Sequence, residues 1–122
     1  MIRNTSHTRS EAMRLLDRII RDRIAARRRR AIDIARAATR ELEEKGHGVL
    51  VFGSLARGNF GNRSDLDLLL DSPKGRELEA VAIILRHARD FPFDVAFLSD
   101  LTEDLQTEFK KEARHASSLG PD

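Results

Sequence analysis

Two aspartates separated by a single leucine, Asp65 and Asp67, are the residues of this chain best placed to do chemistry. Leucines alternate with them, which predicts a β-strand over residues 65–70 with both acids on one face. Side chains two residues apart lie about 7 Å from each other along a strand, so both carboxylates can reach divalent cations about 4 Å apart. Oxygen ligands favour Mg²⁺ or Mn²⁺ over zinc. Because two like charges this close repel each other without a metal, the pair predicts bound cations.

A Gly-Ser turn, eleven residues before the acids, predicts the other half of a site. Gly53 and Ser54 directly follow an apolar run that has the composition of a buried strand. Glycine lets the backbone approach a triphosphate, the amides of such a turn form an anion-binding concavity, and the serine hydroxyl adds a donor. Arg57 and Arg63 follow in the loop, where they either offset phosphate charge or stay solvated. The combination indicates chemistry on a nucleoside triphosphate.

These residues resemble the signature of the minimal nucleotidyltransferases, which belong to the polymerase-β-like nucleotidyltransferase superfamily. The resemblance implies that Asp65 and Asp67 bridge two Mg²⁺ ions that hold the triphosphate of ATP, with Mn²⁺ as the alternative metal. It also implies a third carboxylate from a later strand, which Asp94 matches by position; Asp90 competes with it but precedes Pro92 and lacks strand context. The matching segments are Gly53-Ser54, Arg57-Gly58, Ser64-Asp65 and Leu66-Asp67-Leu68, within a resemblance that covers residues 46–105.

The resemblance implies a reaction as well. Asp94 completes the metal site near the acceptor and draws the proton from the attacking hydroxyl, which attacks the α-phosphorus and expels pyrophosphate. Three plainer interpretations stay open. Asp65 and Asp67 can be solvated acids at a strand edge, Asp94 can be an ordinary acid at a strand start, and the site can bind nucleotide or metal without turnover.

The composition is that of one soluble globular domain. The chain has 122 residues, of which 40% are apolar and 34% charged, enough for a modest core. It contains no cysteine, which excludes disulfides, thiolate metal sites and cysteine nucleophiles. No apolar run approaches the roughly 20 residues of a membrane span, and no export leader is visible. We therefore expect a cytoplasmic protein that does not associate with membranes.

The patterning predicts an α/β (α+β) fold in which helices back a small mixed sheet of the polymerase-β-like nucleotidyltransferase type. Strands are predicted over residues 49–53, 65–70 and 93–98. A helix of about four turns is predicted between the last two strands, from the spacing of its apolar residues. The apolar residues of that predicted helix are Leu78, Val81, Ala82, Leu85 and Ala88. Residues 46–122 form the predicted nucleotidyltransferase domain, and residues 1–45 form an N-terminal amphipathic helical extension.

The extension is longer than the domain that it precedes. A helix over residues 10–45 is about 54 Å long, whereas a compact domain of this size is only about 35 Å across. The helix therefore either breaks near Arg27–Arg30 or overhangs the domain. An overhanging helix leaves an uncovered apolar stripe that needs a partner. That stripe consists of Met13, Leu16, Ile20 and Ile24.

Charge is divided unevenly along the chain, although the net charge is only +2. Residues 1–45 hold 13 Lys/Arg against 7 Asp/Glu, and residues 46–122 hold 9 against 13. The basic part can meet an acidic partner, the acidic part of its own chain, or nucleic acid. Consecutive arginines on a helix point about 100° apart, so Arg27–Arg30 are predicted to be a solvated segment with one or two partner contacts rather than a flat RNA-binding patch. The four histidines lack metal-ligand spacing and are interpreted as surface or cap residues.

The resemblance extends to a partner. It points to minimal-nucleotidyltransferase antitoxins, which pair with HEPN-domain ribonuclease toxins and silence them by adenylylating a toxin tyrosine. The apolar stripe is the candidate docking surface for such a toxin. Two alternatives stay open: an antitoxin that neutralises its toxin by binding alone, and a nucleotidyltransferase that acts on RNA, such as the 3′ end of a tRNA. An oligomer is also compatible with the stripe.

Overall fold

A mixed three-stranded sheet is the centre of the structure, a computed structural model that describes residues 5–120. The strands are β1 (Gly48–Phe52), β2 (Leu66–Asp71) and β3 (Phe93–Phe97), and they lie in this order across the sheet. β1 runs antiparallel to β2, and β2 runs parallel to β3. A parallel pair requires a crossover connection, which here contains a helix. The predicted α+β fold with a small mixed sheet is confirmed.

Helices pack around this sheet and connect its strands. Within residues 5–120 they are α1 (Thr5–Glu44), α2 (Gly53–Arg57), α3 (Glu77–Ala88) and α4 (Glu103–Glu112), with short 3-10 turns at Leu98–Asp100 and Ala116–Ser118. The hydroxyl of Thr102 caps α4 by accepting a hydrogen bond from the amide of Leu105. A side-chain acceptor at this position satisfies an amide that the helix leaves without a partner.

The core lies between one face of the sheet and the helices α1 and α3. Leu66, Leu68 and Leu70 of β2 are fully buried there. They alternate with residues that point to the opposite face, and Asp67 is one of these. Asp67 thus lies on the face of the sheet opposite the core, where Leu69 is also buried.

α1 is one continuous helix with two different environments. Ala35, Ala38 and Leu42 in its second half are 0–1% exposed, whereas Met13 and Ile20 in its first half are 54% and 43% exposed. Of the two predicted alternatives, the overhang is therefore observed and the break near Arg27–Arg30 is not. Although α1 is long, no helix within the described residues is both long and apolar enough to cross a membrane.

The predicted stripe on α1 is wider than expected. Leu16 is 48% exposed, and Leu15 and Ile19, beside it, are 56% and 40% exposed. Ile24 is half-buried where the helix reaches the domain. The predicted boundary between residues 45 and 46 stays a prediction, since the second half of α1 and the sheet contribute to the same core.

The predicted helix between β2 and β3 is confirmed as α3, but only some of the apolar residues that predicted it are covered. Leu78 and Leu85 are 84% and 54% exposed, whereas Ala88 is buried together with Ala80, Ile83 and Ile84. The predicted and the buried set share Ala88, and both recur at three- and four-residue spacing, so periodicity alone does not choose between them. Packing against α1 and the sheet determines which set is covered.

The interpretation of His47 as a surface or cap residue is wrong. Only 2% of it is exposed, and its ring nitrogens lie 2.8 Å from Ser72 Oγ and 2.7 Å from Glu79 Oε1. The hydrogen bond from His47, followed by that from Arg76, lowers the pKa of Glu79.

The arginine segment of α1 is solvated only in part. Arg29 and Arg30 are exposed, whereas Arg27 is half-buried and its guanidinium packs on the ring of Phe91. Contacts of this segment with a partner stay a prediction.

The two environments of α1 predict different losses of stability when a leucine is replaced by alanine in each half of the helix. We expect Leu42→Ala to lower the free energy of unfolding by about 2–5 kcal/mol, because it leaves a cavity in the core. Leu16→Ala, on the exposed half, should change it by less than about 0.5 kcal/mol. Urea unfolding of the two variants measures both values, and equal losses would contradict the overhang.

Candidate active site

Gly53 brings the backbone into direct contact with one of the predicted acids. β1 ends at Phe52, which pairs with Asp67 in the antiparallel register. The next residue, Gly53, has a φ of +71° and begins α2. A Cβ atom at this position would lie 2.1 Å from Asp67 Oδ2. Glycine alone allows both the left-handed φ and this close approach.

Asp67 and Asp94 are direct neighbours across two strands. They are partners in the parallel register of β2 and β3, and such partners point to the same face of the sheet. Asp65 lies two residues before Asp67, just ahead of β2. Asp67 is half-buried, whereas Asp65 and Asp94 are exposed. The structure thus brings the three predicted acids together, while their catalytic role stays a prediction.

Electrostatics reflect this grouping. The pKa of Asp67 lies above its ordinary value, first because burial removes water from the carboxylate, and then because Asp94 and Asp65 carry like charge. The positive charge of Arg57 acts in the opposite direction. Perturbed carboxylates of this kind are concentrated at functional sites.

The remaining predicted residues differ in how close they come to the acids. Ser54 is half-buried in the first turn of α2, directly after Gly53. Arg57 forms an ion pair with Glu112 at 3.6 Å, in which both side chains are about half exposed. Arg63 is exposed in the loop before Asp65 and is not among the charges that act on Asp67. Arg57 therefore acts on the acid group, Ser54 adjoins that group only through its neighbour Gly53, and Arg63 is not placed against it.

Asp90, the competitor for the third acid, is engaged elsewhere. Its carboxylate accepts a hydrogen bond from Arg30 of α1 at 2.5 Å. This hydrogen bond lowers the pKa of Asp90. Asp90 precedes β3, whereas Asp94 lies within the strand and beside Asp67. The sheet geometry therefore favours Asp94.

The donor set fits a hard divalent cation in chemistry, but it is not a preformed metal centre. All three acids are carboxylates, which suit Mg²⁺ or Mn²⁺ better than zinc. In the part of the chain that the structure describes, no group of three or more His, Cys, Asp or Glu side chains is arranged to hold a metal ion. Asp65 and Asp94 are exposed, so rotation of their side chains can bring their oxygens towards Asp67.

Two phenylalanines beside the acids were not recognised as part of the site from the sequence. The rings of Phe52 and Phe109 are 5.0 Å apart and meet edge to face at 74°. Because Phe52 is the register partner of Asp67, this contact places α4 next to the acid group. The alternation of side chains along β1 is consistent with this position of Phe52. Because Val51 points into the core, Phe52, the next residue, must point to the opposite face of the sheet, where Asp67 lies.

The comparison with known families covers the whole of this site. The family described as nucleotidyltransferase domain matches residues 32–119. The match begins within α1 and extends through every strand of the sheet. No curated protein and no solved structure matches the chain significantly.

The contact between Gly53 and Asp67 predicts a difference between two glycines. Gly53 and Gly75 both have positive φ, but a Cβ at Gly75 meets nothing within 4 Å. Gly75→Ala should therefore cost only the backbone strain of about 1–2 kcal/mol, and Gly53→Ala should cost clearly more. Chemical denaturation measures both. The excess cost at Gly53 should shrink in an Asp67→Ala background, and an unchanged excess would show that the contact is not its cause.

The raised pKa of Asp67 predicts that its charge destabilises the fold. We expect Asp67→Asn to raise the melting temperature of the metal-free protein at neutral pH, because the folded state disfavours the charged form. The gain should grow as the pH rises from about 4 through the raised pKa, and vanish below, where the carboxyl is protonated in both states. Thermal melts with a chelator measure it. Asp71→Asn, on the same strand, is the control, and an equal gain there would contradict the assignment.

Proposed function

The chain belongs to the nucleotidyltransferase domain family, and from that premise we propose that it transfers AMP from ATP to a hydroxyl group of a partner protein. Family membership supports nucleotidyl transfer itself. The observation that carries the proposal to these residues is the pairing of Asp67 with Asp94 on one sheet face, with Gly53 packed against Asp67. The Gly53-Ser54 turn and the group of carboxylates lie at the same end of the sheet, which supports a shared role in holding a triphosphate.

The Gly53-Ser54 turn holds the triphosphate in this proposal. Gly53 has no side chain, so the phosphates can approach the backbone amides, and the Ser54 hydroxyl donates to a phosphate oxygen. Arg57 has the mobility to contribute, because its ion pair with Glu112 is long and about half exposed. Pairing with phosphate oxygens would give it a stronger, charge-assisted hydrogen bond.

Asp65, Asp67 and Asp94 are the residues that would hold Mg²⁺ or Mn²⁺. When bound, the metal neutralises the charge of the triphosphate and makes the α-phosphorus more electrophilic. Asp67 is the fixed member of the set, since β1, β3 and Gly53 all adjoin it. Asp65, just before β2, and Asp94, in β3, are exposed and would supply the remaining carboxylates.

Asp94 is the residue that takes the proton of the acceptor. The acceptor oxygen forms a bond to the α-phosphorus, and the bond from that phosphorus to the bridging oxygen of the β-phosphate breaks. Pyrophosphate leaves with the electron pair, and the hydroxyl proton passes to the Asp94 carboxylate. Most of the rate enhancement comes from positioning and charge neutralisation, as in other phosphoryl transfers.

The exposed stripe on α1 is the proposed docking surface for the acceptor protein. Leu15, Leu16, Ile19 and Ile20 are each at least 40% exposed, and exposed apolar residues grouped on one helix face are typical of protein interfaces. Residues 1–45 carry an excess of basic side chains. The partner surface is therefore an apolar helical face with acidic residues at its edge. A HEPN-domain toxin whose tyrosine receives AMP is the proposed partner.

A labelling experiment tests this function. The protein is incubated with ATP labelled at the α-phosphate, Mg²⁺, and either a coexpressed HEPN-domain protein or total RNA. We expect label on a tyrosine of the protein acceptor and none on RNA. Label on RNA 3′ ends would indicate an RNA-modifying enzyme, and tight complex formation without label would indicate neutralisation by binding alone. Either outcome contradicts protein adenylylation.

Matched variants connect the activity to the acid group. Asp67→Asn should reduce label transfer by at least about 10²-fold, because it removes a charge that holds the metal and triphosphate. Asp71→Asn changes the same residue type on the same strand, outside the acid group, and should keep most of the activity. Equal loss in both variants would contradict the assigned site.

A further inference from the structure

Arg27 lies at the point where α1 changes from its exposed to its buried half, and its guanidinium is fixed by two contacts. Nη2 donates a hydrogen bond to the backbone carbonyl of Ser64 at 2.8 Å. The guanidinium carbon lies 4.5 Å from the centre of the Phe91 ring, within the range of a cation–π interaction. The side chain is half-buried among these groups.

Both contacts lie shortly before an acid of the proposed site. Ser64 directly precedes Asp65, and Phe91 lies three residues before Asp94. The two segments are also joined to each other, since the amide of Leu66 donates to the carbonyl of Pro92 at 3.1 Å. One side chain from α1 therefore fixes the two segments that carry the outer acids.

Asp67, the third acid, does not need the contacts of Arg27 to be held in place. Asp67 is paired with β1 on one side and with β3 on the other, so the sheet itself determines its position. Asp65 lies outside β2, and Asp94 is only the second residue of β3. The positions of these two acids relative to Asp67 depend on how the segments entering the two strands are held.

We propose that Arg27 is a positioning residue that holds the backbone of Asp65 and Asp94 where rotation of their exposed side chains brings both carboxylates to a divalent cation held by Asp67. The proposal rests on the proposed function. A guanidinium suits this task because it is flat enough to stack on Phe91 while its fixed donors reach a carbonyl. Lysine keeps the charge but lacks the flat stacking surface, so it cannot make both contacts equally well.

Two other arginines of α1 provide comparisons. Arg30 also lies over the Phe91 ring, at 5.4 Å, and pairs with Asp90, but both of these contacts are with the segment before β3. Arg36 is half-buried like Arg27 and donates to the carbonyl of Leu119, near the C-terminus. Arg36→Met therefore removes a comparable helix-to-backbone hydrogen bond without touching either segment that carries an acid.

The experiment compares Arg27→Met, Arg27→Lys and Arg36→Met with the wild-type protein. Mn²⁺ affinity is measured by electron paramagnetic resonance in the presence of a non-hydrolysable ATP analogue, and label transfer gives kcat and the KM for ATP. Urea unfolding reports stability. We expect Arg27→Met to weaken Mn²⁺ binding several-fold and to lower kcat by at least about tenfold, since small displacements of reacting groups are costly. The KM for ATP should change less, because the Gly53-Ser54 turn is untouched.

The controls separate positioning from stability. Arg36→Met should lose as much stability as Arg27→Met and keep Mn²⁺ affinity and kcat within about twofold of the wild type. Arg27→Lys should recover more of the stability than of the kcat that Arg27→Met loses.

Unchanged Mn²⁺ affinity in Arg27→Met, or an equal loss of affinity in Arg36→Met, would overturn the positioning role. A wild-type protein that binds Mn²⁺ but transfers no label would contradict the proposed function, while the affinities would still decide the role of Arg27.

Discussion

The proposed site depends on three carboxylates that the fold brings to one end of a small sheet. Asp67 is the central one, half-buried, paired with Asp94 in the next strand and packed against the backbone of Gly53. Burial and like charge both disfavour its ionised form, as its raised pKa reflects. The core between the sheet, α1 and α3 offsets this cost. Such a compromise between stability and site chemistry is common in enzymes.

Local patterns predicted the strands but not every helix face. The alternation of leucine and aspartate predicted a strand over 65–70, and the structure has β2 at Leu66–Asp71, because a two-residue period places Leu66, Leu68 and Leu70 together on the core face. In α3 two sets of apolar residues share the same helical spacing, so the covered set depends on its neighbours. Gly53 begins a helix instead of ending a strand, since its positive φ turns the chain beside Asp67.

The candidate site could be anticipated where its residues are close in sequence. Gly53, Ser54, Asp65 and Asp67 lie within fifteen residues, and their spacing alone predicted a nucleotide site. Asp94 was assigned by position, because the parallel register that sets it beside Asp67 is a tertiary property. The contacts of Arg27 with Ser64 and Phe91 span 37 residues and more, and nothing local in the sequence indicates them. The N-terminal helix is thereby linked to the acids, although its pattern predicted only an extension.

Asp65, Asp67 and Asp94 are proposed to form one site for a divalent cation and a triphosphate. A crystal structure with Mn²⁺ and a non-hydrolysable ATP analogue, with data collected for the anomalous signal of manganese, shows whether they do. We predict an anomalous peak about 2.1 Å from oxygens of Asp67 and of at least one of the other two acids, with the triphosphate against the Gly53-Ser54 turn. A peak elsewhere, or nucleotide bound away from these residues, would contradict the account.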